Sequence, residues 1–382
     1  MATTISSELV RRRIVSDEPV TVIDTRSADA FDEWHIPGAI NVPYAAGDDI
    51  DVEEALNGEV SPDDHIVTVC ALGESSYAFA DLLAAQGFDT VEVVQDGMVG
   101  WSRLYEVAAV PTTIPALEIF QIQRVAKGCL GYVVGSPDAG TAVAVDPPRH
   151  VEEVTRIAEA DEMTITTVLD THIHADHISG GRALADAVGA DYYLPAAVAE
   201  RGVDLAYTPL DRNAVLTIGA VELKAIHTPG HTTEQHSILV DGEALLTADA
   251  VFVDGVGRTE LQFDTGSARE GAEALFTSIH RTILAMPDAV QILPGHFSPE
   301  ESAAINQTGS PIRTTVKELR TELPLLQRSQ LEFVDSITDS LPEKPPNFDR
   351  MIAINTGNDE PSDDEEARSL ELGPNRCAAA AD

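Results

Sequence analysis

The chain has 382 residues and sets 24 lysines and arginines against 64 aspartates and glutamates, a formal charge of −40. That length allows two domains or one large one with ample core, and a surface so acidic, with only four lysines (Lys127, Lys224, Lys317 and Lys344), repels nucleic acid and anionic membranes. It suits a soluble, halophilic protein whose self-repulsion is screened by salt. No apolar run approaches the roughly 20 residues of a membrane span.

Residues 1–8 lack the apolar core of a signal peptide. Three scattered cysteines, Cys70, Cys129 and Cys377, make no disulfide framework, so a reducing cytoplasm is expected. Residues 1–106 alternate short strands and helices: 20–24, 66–69 and 90–94 read as strands, and 75–86 as a helix closed by Gly87. Such alternation predicts a parallel sheet flanked by helices.

Cys70 directly follows the strand 66–69 and precedes that helix. A loop at a helix N-terminus turns backbone N–H groups toward the sulfur, lowers its pKa and stabilises an anion. Read from position alone, Cys70 is either a nucleophile or sulfur carrier, or a small buried apolar residue at a strand end. Four stretches narrow the choice: Ile23-Asp-Thr-Arg26, the Phe-Asp-Glu-Trp-His-Ile-Pro-Gly-Ala-Ile of 31–40, Cys70-x-x-Gly73-x-x-Ser76, and the Gly-to-Trp segment 97–101. In this order they resemble a rhodanese domain spanning 5–106. The resemblance implies that Cys70 carries a persulfide sulfur in a loop where Gly73 and Ser76 contact substrate. It also implies that Asp24, Arg26 and His35 are framework. The loop holds Glu74 and no basic residue, unlike rhodaneses acting on thiosulfate, which points to a thiol-borne sulfur donor.

Residues 107–115 contain two prolines and two threonines and read as a linker. From 116 to 356 a second domain is expected, with strands at 118–125, 130–134, 142–145, 165–169, 221–226 and 236–240 and helices at 151–160 and 268–284, an α/β domain built as a two-sheet sandwich. The last stretch, 357–382, carries eight acids and two arginines without periodicity and reads as a disordered tail.

The densest chemistry lies at 171–181, Thr-His-Ile-His-Ala-Asp-His-Ile-Ser-Gly-Gly. His172, His174, Asp176 and His177 fall within six positions after an apolar strand, where α/β proteins place their sites. Imidazoles and carboxylates packed so closely must be hydrogen-bonded, solvated or bound to metal. The Gly180-Gly181 pair is expected to let the backbone turn tightly into a helix over 182–188. His231 in His-Thr-Pro-Gly-His, Asp249 after the apolar run 244–248, and His296 in Leu-Pro-Gly-His each follow a strand-like segment. All could meet at one sheet edge and hold zinc, iron or manganese. Seven groups could hold two metals bridged by Asp249; two histidines and one carboxylate could instead hold one Fe(II). His65, His150, His227, His236 and His280 read as structural or surface groups.

Together these motifs resemble the metallo-β-lactamase fold, an αββα sandwich, from about 118 to 355. The glyoxalase II and persulfide dioxygenase branches look most similar. The stretch 247–261, ending Gly257-Arg258-Thr259-Glu260-Leu261, and the stretch 341–349, Leu-Pro-Glu-Lys-Pro-Pro-Asn-Phe-Asp, resemble the second branch. The helical domain by which glyoxalase II grips glutathione has no obvious counterpart. The resemblance implies Fe(II) on His172, His231 and Asp249, with His174, Asp176, His177 and His296 supporting it or forming a second site. Cys70 and Asp176 are the candidate catalytic residues, and Arg258 is expected to meet substrate as a fixed cation. Val256, where some relatives have cysteine, and Leu325, where a glutathione-contacting arginine is expected, point to a thiol other than glutathione. The activity implied is oxidation of a small-molecule thiol persulfide by O2 to sulfite and thiol. The alternatives are a thiolester hydrolase with two Zn and a non-enzymatic persulfide carrier or sensor. A homo-oligomer is compatible with the composition.

Overall fold

A computed structural model describes residues 2–16, 18–56, 58, 60–298, 308–339, 341, 343–373 and 377–379. The N-terminal domain is built on a five-stranded sheet in the order Thr3–Ile5, Thr90–Val94, His65–Val69, Thr21–Asp24 and Ile40–Asn41. Every pairing in it is parallel. Its strands are apolar on both faces, as a helix-covered parallel sheet requires. Val22, Val67, Val69 and Val94 pack against Val10, Trp34 and Trp101 on one side, and Ile23 and Ile66 against Phe79 and Leu83 on the other.

The second domain is a sandwich of a seven-stranded and a six-stranded sheet. Val134, Val143, Val145, Leu223, Ile238 and Leu246 fill the space between them. The helices Val151–Ala160 and Gly181–Val188 cover the first sheet through Val154, Ile157 and Leu184. Glu260–Ser278, Val316–Glu322 and Gln330–Asp339 cover the second through Leu275, Leu319 and Phe333. The helix expected over 268–284 starts earlier, at Glu260, and ends in a π-wound turn, Ile279–Ile283.

Two expectations are overturned. Residues 107–115 are not simply a linker, because Tyr105–Val110 is a strand antiparallel to Glu118–Arg124 at the edge of the seven-stranded sheet. Its alternate residues Glu106, Ala108 and Val110 are buried, and Glu106 accepts from Arg11 Nε at 2.8 Å, tying the N-terminal helix Ser7–Val15 to the second domain. Val125 and Ala126 join the core of Trp101 and Leu104, so apolar packing is continuous across the boundary. The prolines just beyond Val110 hid this alternation.

The tail is also structured. Asp364–Glu371 is a helix capped by the Asp363 side chain, and Ala378 pairs with Gly257. Asp364 meets Arg103 and Arg149, and Glu371 meets Arg124 and Arg149. Acids that read as a solvated run are paired with cations from distant parts of the chain. Residues 374–376 and 380–382 lie outside the described residues.

Candidate metal centre

The strand Thr164–Leu169 ends at Asp170, and the loop after it is held from several sides. Asp146, at the end of the neighbouring strand Thr141–Val145, accepts from the Thr171 N–H at 2.7 Å and from Thr171 Oγ1 at 2.8 Å. Asn355 donates to the carbonyls of His174 and His177 at 2.9 and 2.8 Å and accepts from Ser179 N–H. Glu371 accepts from Ile178 N–H at 3.0 Å. The Gly180-Gly181 pair acts through space and not through a left-handed turn. Gly180 has φ −82°, and a Cβ there would lie 2.0 Å from the Pro148 carbonyl oxygen. A Cβ on Gly181 would lie 2.6 Å from the Tyr192 ring.

His172, His231 and Asp249 come together, fully buried, with one ligand atom from each within 4.8 Å of the others. His172 Nε2 lies 3.8 Å and His231 Nε2 3.4 Å from Asp249 Oδ2. Their outer hydrogen bonds set the tautomers. The single proton of the Thr171 hydroxyl goes to Asp146, so at 2.9 Å it accepts from His172 Nδ1–H. The Arg258 carbonyl can only accept, so His231 Nδ1 donates to it at 2.7 Å. Both rings therefore turn an Nε2 lone pair inward. Burial, with the neighbouring His174 and His231 rings, holds His172 well below its ordinary pKa and thus neutral. His172 Nε2 and Asp249 Oδ2 are buried with no hydrogen-bond partner. Inward lone pairs without a proton between them, held by outer-shell partners, fit a metal ion.

The other predicted ligands are arranged differently. His296 Nδ1 meets Asp249 Oδ1 at 2.7 Å and its Nε2 meets Asp176 Oδ2 at 3.0 Å. Burial opposes charge on this ring, but the Asp249 and Asp176 carboxylates outweigh it and raise its pKa well above the ordinary value. His177 Nδ1 bonds Asp176 Oδ1 at 3.1 Å, and Cys129 Sγ lies 3.3 Å from Asp176 Oδ2. Burial alone would raise the Asp176 pKa, yet His177 and His296 hold it well below the carboxylate range. Asp176, His177, His296 and Cys129 thus largely satisfy one another, although their ligand atoms also lie within 4.8 Å of each other. His174 stands apart, with Nε2 3.2 Å from Asp146 and 3.9 Å from Asp170, and its Nδ1 buried without a partner.

Arg258 is not the free cation expected from the sequence. Its side chain is fully buried, pairs with Glu260 and donates to the Glu343 carbonyl at 3.0 Å. It reaches the centre through its backbone carbonyl on His231. Leu325 lies in the apolar core under the second sheet, and Val256 pairs with Val251.

Sequence reasoning missed Asp146, Thr171, Asn355 and Glu371. Asp146 alone left a clear signal, an acid directly after the apolar run 142–145. Replacing Thr171 with valine keeps shape and removes the hydroxyl that orients His172. Metal should then bind about 10–100-fold more weakly, the range for such supporting groups. Chelator competition on the folded variant reads this, and unchanged affinity would contradict the tautomer argument.

In the first domain, Gly73 N–H donates to Cys70 Sγ at 2.9 Å and Ser76 Oγ lies 3.3 Å away. Gly73, at φ +110°, supplies a left-handed turn that favours glycine, just before the helix Glu74–Ala85. Burial disfavours ionisation, but hydrogen bonds from Ser76, Ser75 and Gly73 outweigh it and lower the Cys70 pKa. Asp24 pairs with Arg26, and His35 stacks on Phe31.

Residues 6–104 match the rhodanese-like domain, and 128–296 match the metallo-beta-lactamase superfamily. A hydroxyacylglutathione hydrolase from Polaromonas sp. is 30% identical over 193 residues, 49% of this chain and 69% of that protein. A metallo-beta-lactamase structure from Staphylococcus aureus superposes with TM-score 0.58 at 28% identity, covering 64% of this chain and 74% of its own. The structure of ETHE1 from Myxococcus xanthus superposes with TM-score 0.53 at 26% identity, covering 63% and 98%. The chain belongs to the metallo-beta-lactamase superfamily and carries an N-terminal rhodanese-like domain. Among the described residues no helix is long and apolar enough to cross a membrane.

Proposed function

We propose that the chain oxidises a low-molecular-weight thiol persulfide at one iron held by His172, His231 and Asp249, and that Cys70 carries sulfane sulfur in connection with that reaction. The observation that carries this reading is the division of the site. Unpartnered atoms of His172 and Asp249 converge with His231, whereas Asp176, His177 and His296 are bonded among themselves. Two histidines and one carboxylate with open positions are the ligand set of non-haem Fe(II) oxygenases. Iron bound there would supply Lewis acidity and a template for sulfur and O2. The balanced reaction takes persulfide, O2 and water to thiol, sulfite and two protons. His296, cationic between Asp249 and Asp176, fixes the Asp249 carboxylate, and Asp176 fixes His177 and His296 in turn. Asp176 is thus a positioning group. The similarity to ETHE1 and the rhodanese-like domain support the same chemistry.

A persulfide on Cys70 gives its outer sulfur to sulfite, forming thiosulfate, or to a thiol, forming a new persulfide. Cys70 leaves as a thiolate, which Gly73 N–H stabilises. In Cys70→Ser, sulfurtransfer to cyanide should fall to background while persulfide oxidation persists; full retention of transfer would remove Cys70 from the scheme. For the whole proposal, an iron-loaded sample given the persulfides of cysteine, coenzyme A and glutathione in turn should take up O2 with at least one of them and release sulfite plus thiosulfate in equal amount, and no uptake with any would refute it.

A second reading is a thiolester hydrolase with two zinc ions. The unpartnered His174 Nδ1 and the relative from Polaromonas favour it. Release of thiol from an acylated glutathione, without O2, would select it.

A further inference from the structure

Both chain neighbours of His172 are tied to the segment that carries His231. On one side the Thr171 carbonyl accepts from His236 N–H at 3.0 Å, a backbone bond at the start of the strand His236–Val240. On the other side Ile173 N–H donates to Glu234 Oε1 at 3.2 Å. Glu234 lies in the same loop as His231, closed by the bond from Thr228 N–H to the Gln235 carbonyl at 2.9 Å. Its side chain is fully buried. A carboxylate so deep is costly unless it is paired and hydrogen-bonded, and this one is both. Oε1 also accepts from Arg201 Nη1 at 2.6 Å, and Oε2 accepts from Thr233 Oγ1 at 3.3 Å. Arg201 ends the short helical turn Ala196–Arg201. Just beyond it, Asn358 donates to the Gly202 carbonyl at 2.9 Å and Asp204 N–H donates to the Thr356 carbonyl at 2.8 Å. Thr356 follows Asn355, which holds the His174 and His177 carbonyls. Arg201 therefore connects the Glu234 contact on Ile173 to the group that grips the rest of the metal-binding loop.

We propose that Glu234 is a positioning residue of the metal centre: held by Arg201, it tethers Ile173 to the His231 loop and so sets the spacing at which His172 and His231 present their Nε2 atoms. Metal affinity depends on ligands held in place before the ion arrives, and outer groups do that holding. The two parts of the Glu234 carboxylate have separate tasks. The Oε1 atom is the tether, because it accepts from Ile173. The charge neutralises Arg201, whose side chain is 11% exposed. A glutamine keeps an oxygen for Ile173 and removes the charge, whereas an alanine removes both.

The inference rests on a metal being held by His172 and His231, and two measurements on the full chain test the parts separately. One is Co(II) affinity by chelator competition; the other is amide exchange at Ile173 in the metal-free protein, which reads the tether directly. Glu234→Ala should bind Co(II) about 10–100-fold more weakly, the range for removing a group that supports a ligand, and its Ile173 amide should exchange faster. Glu234→Gln should keep native affinity and native protection of Ile173. Both variants should melt lower without metal, because Arg201 loses its charged partner. A merely structural role would lower both melting transitions and leave affinity unmoved. Glu234→Ala combined with Arg201→Met removes the stranded charge, which covers an alanine variant that folds poorly, and it should still bind Co(II) weakly. Native affinity in folded Glu234→Ala, or in the double variant, overturns the inference and leaves the metal reading standing. Unchanged exchange at Ile173 in Glu234→Ala does the same. Glu234→Gln binding as weakly as Glu234→Ala also overturns it, by assigning the effect to charge and not to the tether. A native protein that binds no Co(II) overturns both the inference and the metal reading.

Discussion

Asp249→Asn is expected to empty the metal centre while leaving the fold in place. Asp249 is fully buried, with Oδ1 on His296 and Oδ2 unpartnered toward His172 and His231. Asparagine has nearly the same shape and can still accept from His296. It has no negative charge to balance a divalent cation in a site shielded from water, where such charges act most strongly. Metal content should drop from one per chain to near zero, and persulfide oxidation should fall to background. The metal-free melting transition should fall, because the buried His296 loses one of its two carboxylate partners and keeps Asp176 alone. Elemental analysis and calorimetry on one preparation check both parts. A variant that keeps a full metal complement would mean that Asp249 is not a ligand.

Glu371→Gln is expected to destabilise the whole molecule. Glu371 is 1% exposed, 3.3 Å from Arg124 and 3.2 Å from Arg149, and accepts from Ile178 N–H beside the metal-binding loop. Arg124 is buried as well, so removing its partner strands a charge in the interior. Breaking a buried pair in this way costs about 3–5 kcal/mol. The pH dependence has a definite sign. Burial would raise the Glu371 pKa, but Arg124, Arg149 and Lys127 outweigh it and lower it from 4.5 to about 2. A depressed carboxylate pKa stabilises the fold above its unfolded value, and this contribution is lost as pH falls through the folded value. The stability gap between native and variant proteins should therefore be full above pH 4.5 and close toward pH 2. Denaturant midpoints across that range measure it. A gap below about 1 kcal/mol at neutral pH would place the pair among weak surface bridges.

The sequence made the histidine cluster legible because no packed core accepts three imidazoles and an acid in six positions. Asp249 and His296 were legible for a related reason, each closing a strand and so sharing one sheet edge. The parallel sheet and the sandwich followed from periodicity. The division of the ligands was not legible, because it depends on which hydrogen bonds the outer atoms make. Thr171 and the Arg258 carbonyl turn two rings inward, and no spacing rule encodes that. The tail misled for a physical reason. Composition counts charges but not their partners, and Asp364 and Glu371 find theirs in Arg103, Arg124 and Arg149, more than 200 residues away. The burial of Cys377 was hidden for the same reason, since it goes with a single bridge between Gly257 and Ala378. Arg258 shows the converse, since the motif gave its position but not its burial against Glu260.

The proposed centre holds one metal, and not two, on His172, His231 and Asp249. Metal content per folded chain, measured in the native protein and in His172→Ala and His177→Ala, tests it most directly. One iron in the native protein, none in His172→Ala and one still in His177→Ala is the expected result. Two metals per native chain, falling to one in His177→Ala, would contradict it and select the two-zinc hydrolase.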